Sequence, residues 1–356
     1  MEDFNKAFDY IIVGAGSAGC TLANRLTEDV SRTVLLLEAG GKDSNPWIHI
    51  PVGFVKTLDM PGLNWRFETE PEPNSKNRRI PIPRGRVLGG SSSINGMVYV
   101  RGQPLDYDTW SQLGNRGWSY ESVLPYFSKS ENYESSDEAW RGKNGELVTA
   151  EGREKAELLD VVLDAAEQCG YPKNADYNSG DQEGFGYFQV TQKNGRRWST
   201  AKAFLEPALK RPNLSLEINA HTTGILTDGG RATGVKFEQN GKTRTVTAAK
   251  GVVLCAGAVQ SPQILELSGI GNPNILRQYG IEVVHPLPGV GENYQDHYMV
   301  RQTWEIKKKI TLNEQTRGVS LIREALRYAF TRRGIMTYPA GILAGFVRTR
   351  PEIATP

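Results

Sequence analysis

Residues 8–38, FDYIIVGAGSAGCTLANRLTEDVSRTVLLLE, decide the fold of this protein. They begin with a short run of apolar and β-branched residues, Phe8–Val13, which predicts a buried parallel strand. A glycine-rich turn follows, and then a helical segment with Leu22 and Leu26 on its apolar face. A second apolar run, Thr33–Leu37, predicts another buried strand. Strand, turn, helix and strand form the crossover unit of a doubly wound α/β sheet.

The turn carries three glycines in the spacing G-x-G-x-x-G. Gly14 permits the tight turn, Gly16 lets the backbone approach a pyrophosphate, and Gly19 lets the helix pack closely against the strand. The helix N-terminus adds unpaired N–H groups, and Glu38 at the end of the second strand can accept hydrogen bonds from an adenosine ribose. This pattern predicts an adenine dinucleotide site that suits NAD and FAD equally. The structural alternative is a glycine-rich turn followed by a surface glutamate.

A second cluster of glycines and serines, RGRVLGGSSSINGM at residues 84–97, distinguishes between NAD and FAD. Its glycines let the backbone pass close to a flat ring or a phosphate, and its serines and amide offer hydrogen bonds without bulk. A flexible linker is the alternative, but linkers do not usually contain apolar residues such as Val87, Leu88 and Ile94. The cluster therefore favours a flavin.

The sequence resembles the glucose–methanol–choline (GMC) family of FAD-dependent oxidoreductases, in particular its choline-dehydrogenase-like branch. Residues 85–108 match the first signature of the family, and residues 257–271, GAVQSPQILELSGIG, match the second. Both signatures follow the glycine-rich turn in the order that is typical of the family. The resemblance covers essentially the whole sequence.

The resemblance implies a set of residues in contact with FAD. The ADP half would be held by Gly14, Gly16, Ser17, Gly19 and Glu38. The flavin and the pyrophosphate would be lined by Arg84, Gly89, Gly90, Ser92, Asn95 and Val98. The strand around Ile225 would pass the adenine. The remaining contacts would come from Ala256, Gly257, Ser261, Asn293, Asp296 and His297.

The activity implied by the resemblance is oxidation of a primary alcohol to an aldehyde, with hydride transfer to the flavin while a base takes the hydroxyl proton. In some relatives, a histidine just before the signature asparagine is joined covalently to the flavin. Ile94 stands there in this sequence, so we predict dissociable FAD. The base of the family is normally a histidine in a C-terminal segment that this sequence does not contain. We therefore leave the catalytic residue unassigned.

Two alternatives remain open. The first is a catalytically incomplete flavin-binding fragment that lacks the C-terminal base. The second is a nicotinamide-dependent dehydrogenase, which the flavin-type cluster opposes. His49, His221 and His285 are interpreted as ordinary structural or surface residues, and His297 as a cofactor-side residue.

The composition limits the classes of binding partner that can be expected. Lys and Arg total 42 against 40 Asp and Glu, a formal charge of +2, which gives no electrostatic reason to expect nucleic acid or an anionic membrane. Cys20, Cys169 and Cys255 suggest neither a disulfide framework nor a metal site. We found no apolar N-terminal leader and no apolar stretch that could span a bilayer, so a cytoplasmic location is expected. The expected partners are a small alcohol and an electron acceptor, oxygen or a quinone among the possibilities.

The predicted fold class is α/β: a doubly wound, Rossmann-like FAD-binding domain with a second, sheet-plus-helix substrate domain that is expected to be incomplete. We assign residues 1–150 and 213–305 to the FAD-binding domain and residues 151–212 and 306–356 to the substrate domain. The patterns also predict an extended loop over residues 42–83. Helices are predicted within 104–134 and over 154–169. A strand meander is predicted over 214–218, 225–227, 232–239 and 243–248, with a separate buried strand over 251–254.

Overall fold

A computed structural model describes residues 2–3, 7–134, 139–297 and 299–356. The chain divides into two compact units. The first unit contains the residues up to Asn45 together with Thr57–Ile94 and Thr200–Thr303, and the second contains Pro46–Lys56, Asn95–Ser199 and Trp304–Pro356. These units differ from the predicted domains chiefly at residues 95–150, which group with the second unit. The predicted bounds of the FAD-binding domain and the substrate domain therefore remain a proposal.

The first unit is built around one large sheet. Its main strands are β1 (Phe8–Val13), β2 (Val34–Leu37), β3 (Leu214–Glu217), β4 (His221–Asp228), β5 (Arg231–Gln239) and β6 (Lys242–Leu254). Its main helices are α1 (Ser17–Leu26), α2 (Gly257–Leu267) and α3 (Pro273–Gln278). The strands lie in the order β3-β2-β1-β6-β5-β4, and the short strand Glu2–Asp3 also pairs with β6.

The parallel part of this sheet forms the core. Strands β3, β2, β1 and the last part of β6 pair in parallel. Ile11 and Leu35 have no exposed surface, as expected for parallel strands covered on both faces. The predicted crossover unit is therefore confirmed, and it brings the ends of β1 and β2 to one edge of the sheet.

Strand β6 joins two kinds of pairing. Residues 242–247 pair antiparallel with β5, whereas Ala248 and residues 251–254 pair in parallel with β1. The register shifts between Ala248 and Gly251. Two sequence predictions are corrected here. The segments at 243–248 and 251–254 are one strand, and β3 extends the parallel sheet instead of starting a meander. Local patterns could not reveal either fact, because both depend on which distant strand is the partner.

The rest of the first unit consists of short elements. A strand pair joins Phe67–Glu68 to Pro81–Ile82, and another joins Ile270–Gly271 to His285–Pro286. The short helical segments are Pro73–Ser75, Gly90–Ser93, the π-helical Ala201–Leu205, and Glu206–Ala208. The predicted extended loop over 42–83 is thus interrupted by regular structure, which its Pro- and Asn-rich composition concealed.

The second unit contains four longer helices and several small sheets. The helices are Pro104–Gln112, Tyr120–Ser130, Glu157–Gln168 and Gly318–Thr331. The strands are Glu131–Tyr133, Leu147–Glu151 and Gln189–Val190, the pair Gly184–Tyr187 with Leu343–Phe346, and the pair Gln192–Lys193 with Arg196–Arg197. Short helical segments lie at Pro46–His49, Pro51–Gly53, Phe54–Thr57, Leu312–Glu314 and Ile335–Thr337. The helices predicted within 104–134 and over 154–169 are confirmed with shorter bounds.

A buried ionic cluster stabilises the second unit. The carboxylate of Glu131 has no exposed surface and lies 2.6 Å from Arg141 and 2.7 Å from Arg101. The hydroxyl of Thr149 donates to it at 2.9 Å. Burial alone would raise the pKa of Glu131, but the hydrogen bonds and charges of the two arginines hold that pKa below its ordinary value.

Within the described residues, no helix combines the length and the apolarity that crossing a bilayer requires.

Candidate functional site

The turn between β1 and α1 has the backbone that its glycines suggest. Gly14 has a φ of +97°, and a Cβ there would lie 2.5 Å from the carbonyl oxygen of Cys255. A Cβ on Gly19 would lie 1.9 Å from the carbonyl oxygen of Gly14, so the start of α1 packs directly on the turn. At Gly16, in contrast, the nearest atom to a Cβ would be 4.0 Å away, on Gly90. Gly14 and Gly19 serve the chain itself, whereas Gly16 borders open space.

Glu38 is fixed at the end of β2 by the backbone around it. Its side chain accepts hydrogen bonds from the N–H of Ala15 and the N–H of Gly40, both at 2.8 Å. Burial raises the pKa of the Glu38 carboxyl, although these two N–H groups and the charge of Arg86 act in the opposite direction. Each carboxylate oxygen keeps a lone pair for a further donor, such as a ribose hydroxyl.

The second glycine and serine cluster packs directly on the first turn. The N–H of Gly89 donates to the carbonyl of Ala15 at 2.8 Å, and the N–H of Leu88 donates to Gly41 at 3.0 Å. Gly90 has a φ of +52°, and a Cβ on it would lie 2.7 Å from the Cα of Gly16. The two motifs that the sequence separates by many residues therefore form one surface.

A cavity of about 440 Å³ opens on this surface within the first unit. That volume falls in the usual range of small-molecule sites, about 300–1,000 Å³. The N-termini of α1 and α2 both border it, and neither helix has a side-chain cap or an acidic residue in its first turn. Two helix N-termini with free N–H groups and no local negative charge make a site for an anion such as a pyrophosphate.

Half of the predicted FAD contacts line this cavity. They are Gly14, Gly16, Ser17, Glu38, Arg84, Gly90, Ala256, Gly257 and Ser261. Cys255 also lines it, and burial raises the pKa of its thiol.

Four other predicted contacts in the first unit have a different environment. Gly19 and Gly89 lie against the turn, as described above. The hydroxyl of Ser92 lies 2.6 Å from the carbonyl of Gly89 and 2.8 Å from the hydroxyl of Thr200, so it hydrogen-bonds within the protein. The N–H of Ile225 donates to the hydroxyl of Ser268 at 2.8 Å. The start of the same strand lines the cavity instead, through Ala220, His221 and Thr222.

Asn293, Asp296 and His297 lie outside the cavity lining. The hydroxyl of Tyr294 links this segment to the cavity, because it accepts a hydrogen bond from Arg84 at 2.8 Å and donates one to Asp296 at 3.2 Å. The backbone N–H of His297 donates to Asp296 at 2.8 Å, which is the largest cause of the lowered pKa of that carboxyl. The His297 side chain is fully exposed.

Asn95 and Val98 belong to the second unit. The Oδ1 of Asn95 accepts hydrogen bonds from the N–H of Met97 at 3.1 Å and from Arg197 at 2.7 Å. Val98 forms an isolated bridge with Val190. Their contact with the cofactor stays a prediction.

An aromatic group lies beside the cavity, formed by residues that no sequence motif connects. The rings of Trp65 and Phe67 stack with centroids 5.8 Å apart, and the ring of His221 lies 5.5 Å from that of Trp65. The guanidinium of Arg86 lies 4.7 Å from the Trp65 ring. Burial and the nearby charge of Arg86 lower the pKa of His221. Trp65, Phe67 and His221 line the cavity. The interpretation of His221 as an ordinary structural or surface residue did not anticipate this position.

The parallel sheet, the glycine turn, the buried acid and the paired helix N-termini define a dinucleotide-binding α/β protein. Residues 8–299 match the GMC oxidoreductase family, and the chain belongs to that family.

Individual relatives agree with this assignment. The chain is 44% identical over 354 residues to an oxygen-dependent choline dehydrogenase from Photobacterium profundum, covering 99% of this chain and 62% of that protein. It is 47% identical over 289 residues to an oxygen-dependent choline dehydrogenase from Sinorhizobium medicae, covering 81% and 52%. An FAD-dependent oxidoreductase from Chaetomium thermophilum superposes with a TM-score of 0.88 at 30% identity, covering 95% of this chain and 61% of that one.

These comparisons confirm the predicted family, the α/β fold class and FAD as the cofactor. The chain spans about half to three fifths of the length of the curated relatives that it matches.

Proposed function

We propose that this protein is the FAD-binding part of an alcohol-oxidising flavoenzyme, and that the cavity of the first unit holds the ADP half of FAD. The observation that carries the proposal is the convergence of two uncapped helix N-termini, from α1 and α2, with the buried carboxylate of Glu38 on one cavity. The helix ends suit the negative pyrophosphate, and the carboxylate suits the ribose hydroxyls.

The cavity residues then have separate roles. Gly16 leaves room for the pyrophosphate, and Arg84 supplies a positive charge at the rim. Trp65 and His221 offer ring faces against which an adenine can stack. Five of the other predicted contacts, Asn95, Val98, Asn293, Asp296 and His297, are proposed to lie on the flavin side.

The proposed reaction is the oxidation of a primary alcohol to an aldehyde, for which bound FAD supplies the hydride acceptor. The names of the matching choline dehydrogenases support choline as the first alcohol to test. Oxygen and quinones are the electron acceptors to compare, and a cytoplasmic location remains part of the proposal. A second candidate is a flavin-binding chain that does not oxidise alcohols by itself. It is favoured because no described residue is assigned as the base.

Spectroscopy separates these candidates. The purified protein, reconstituted with FAD, should show the two visible flavin bands. Bleaching of those bands by choline or another primary alcohol under anaerobic conditions supports the alcohol-oxidising enzyme. A yellow protein that no alcohol bleaches supports the second candidate. A colourless protein that binds NAD would overturn the proposal.

Substitution of Glu38 tests the ribose contact. We expect Glu38→Gln to weaken FAD binding by about 10- to 100-fold, since a hydrogen bond to a charged group contributes roughly 1.5–3 kcal/mol. The new amide would also point its NH₂ group at the N–H of Ala15 or of Gly40. Fluorescence titration with FAD measures the effect. Glu282→Gln, at an exposed position of the same unit, is the control and should bind FAD like the unmodified protein. Equal affinities for both variants would remove Glu38 from the site.

The linkage of the cofactor can be tested directly. Ile94 is 2% exposed and carries no nucleophile. We therefore expect acid precipitation to leave essentially all of the FAD in the supernatant. Flavin absorbance retained in the washed pellet would show a covalent bond and contradict this prediction.

A further inference from the structure

The signature turn Asn95–Met97 is unusually constrained in the second unit. Met97 has a φ of +62°, a left-handed conformation that non-glycine residues rarely adopt. A Cβ on Gly96 would lie 2.2 Å from the Cβ of Ala340. Such backbone conformations persist only where the surrounding structure holds them, and they are frequent at functional sites.

All three carbonyl groups of the turn are engaged by the protein. The carbonyl of Asn95 accepts from Arg197 at 2.7 Å, that of Gly96 accepts from the N–H of Ala340 at 3.1 Å, and that of Met97 accepts from the N–H of Thr191 at 2.9 Å. The side-chain Oδ1 of Asn95 is engaged too, by Arg197 and by the N–H of Met97. The acceptors of the turn therefore face the protein.

Two hydrogen-bond donors of the turn are left for another group. Neither the side-chain Nδ2 of Asn95 nor the backbone N–H of Gly96 hydrogen-bonds to any described residue, and Asn95 is exposed. Because Oδ1 is already taken by two donors, the amide of Asn95 cannot flip without losing both hydrogen bonds. The turn thus presents donors outward, and it suits a ligand that offers hydrogen-bond acceptors.

The buried side chain of Arg197 fixes the orientation of Asn95. This side chain is 2% exposed, and three of its N–H groups donate at 2.7 Å, to the carbonyl of Ile48 and to the two oxygens of Asn95. This fork geometry is specific to arginine, because an ammonium group cannot reproduce three fixed and coplanar directions. Burial lowers the pKa of Arg197 to about 9, which leaves the guanidinium charged at neutral pH.

We propose that Arg197 is a positioning residue for the flavin: it orients the Asn95 amide as a donor and places a buried positive charge behind it. This inference rests on the proposed function, in which Asn95 contacts the flavin ring. Reduction adds negative charge to that ring, so a nearby cation and an outward donor both favour the reduced form. The consequence is a flavin whose reduction potential depends on a residue that need not touch it.

The test compares Arg197→Gln and Arg197→Lys with Arg196→Gln in the FAD-loaded protein. Arg196 is the preceding residue of the same short strand and is exposed, which makes it a matched control. We expect Arg197→Gln to shift the two-electron reduction equilibrium at least tenfold toward oxidised flavin, a decrease of about 30 mV in potential. Arg197→Lys should keep most of the potential but bind FAD several-fold more weakly, because it keeps the charge and loses the fork. Arg196→Gln should change neither quantity.

An additional variant covers the case in which Arg197→Gln does not fold. Asn95→Ala removes an exposed side chain, and the buried guanidinium of Arg197 keeps its two backbone acceptors, on Ile48 and residue 95, so circular dichroism should show a folded protein. It should also show weaker FAD binding and a lowered potential. A wild-type potential in FAD-loaded Asn95→Ala, and in FAD-loaded Arg197→Gln where that variant folds, would overturn the inference while leaving the proposed function intact. If the unmodified protein failed to bind FAD, the proposed function and this inference would fall together.

Discussion

A Gly19→Val variant should lose FAD binding almost completely, with an affinity reduced by more than about 100-fold, on the order of 3 kcal/mol. The Cβ of valine would lie 1.9 Å from the carbonyl oxygen and 3.0 Å from the carbonyl carbon of Gly14, and both atoms belong to the backbone. Either α1 must move away from β1 or the turn must open. Both changes displace the helix N-terminus that is proposed to hold the pyrophosphate.

Gly251→Val is the control for this variant. Gly251 lies in β6, and a Cβ there would meet no atom within 4 Å. Fluorescence titration with FAD, with circular dichroism as the check on folding, should show near-normal binding for Gly251→Val. FAD affinity within threefold of the unmodified protein for Gly19→Val would refute the proposed site.

The second large effect concerns stability. Glu131→Ala is expected to lower the free energy of unfolding by about 3–5 kcal/mol, because it leaves the buried charges of Arg101 and Arg141 without their shared carboxylate. Urea unfolding followed by circular dichroism measures the loss. Glu70→Ala removes an exposed ion pair with Arg79 and should have a far smaller effect. Similar losses for the two variants would contradict the role assigned to the buried cluster.

The same variant has a defined pH dependence. The pKa of Glu131 is lowered in the folded protein, so its contribution to stability is complete above the ordinary value of 4.5. That contribution is lost as the pH falls from 4.5 through the lowered pKa. The difference in stability between Glu131→Ala and the unmodified protein should therefore be constant near neutrality and should narrow in acid.

Features encoded within a short stretch of sequence were predictable. The β1–α1–β2 unit follows from its apolar runs and its glycines, because each residue acts on neighbours a few positions away. The positions of Gly14 and Gly19 follow from backbone sterics alone. The position of Glu38 follows from the end of an apolar strand, where side chains reach the edge of the sheet.

Features that depend on distant contacts were not predictable. The aromatic group of Trp65, Phe67 and His221 combines residues from a loop and from the start of β4. Nothing in either segment specifies the other. Ser92 belongs to a recognisable signature, but the hydrogen bond between its hydroxyl and that of Thr200 joins residues 108 positions apart. A signature identifies the segment near a cofactor, but packing decides which of its side chains face the ligand.

The pairing of β6 with β1 has a consequence for how the chain folds during synthesis. Phe8 pairs with Ala248, so the segment of β6 that pairs with β1 is synthesised about 240 residues after β1. At roughly 5–20 residues per second, the ribosome needs on the order of 12 to 50 s to deliver it. Over that interval β2 can cover one edge of β1, while the other edge stays open to pairing with a foreign strand. The glycine-rich turn that follows β1 therefore reaches its final packing only after most of the chain has been synthesised.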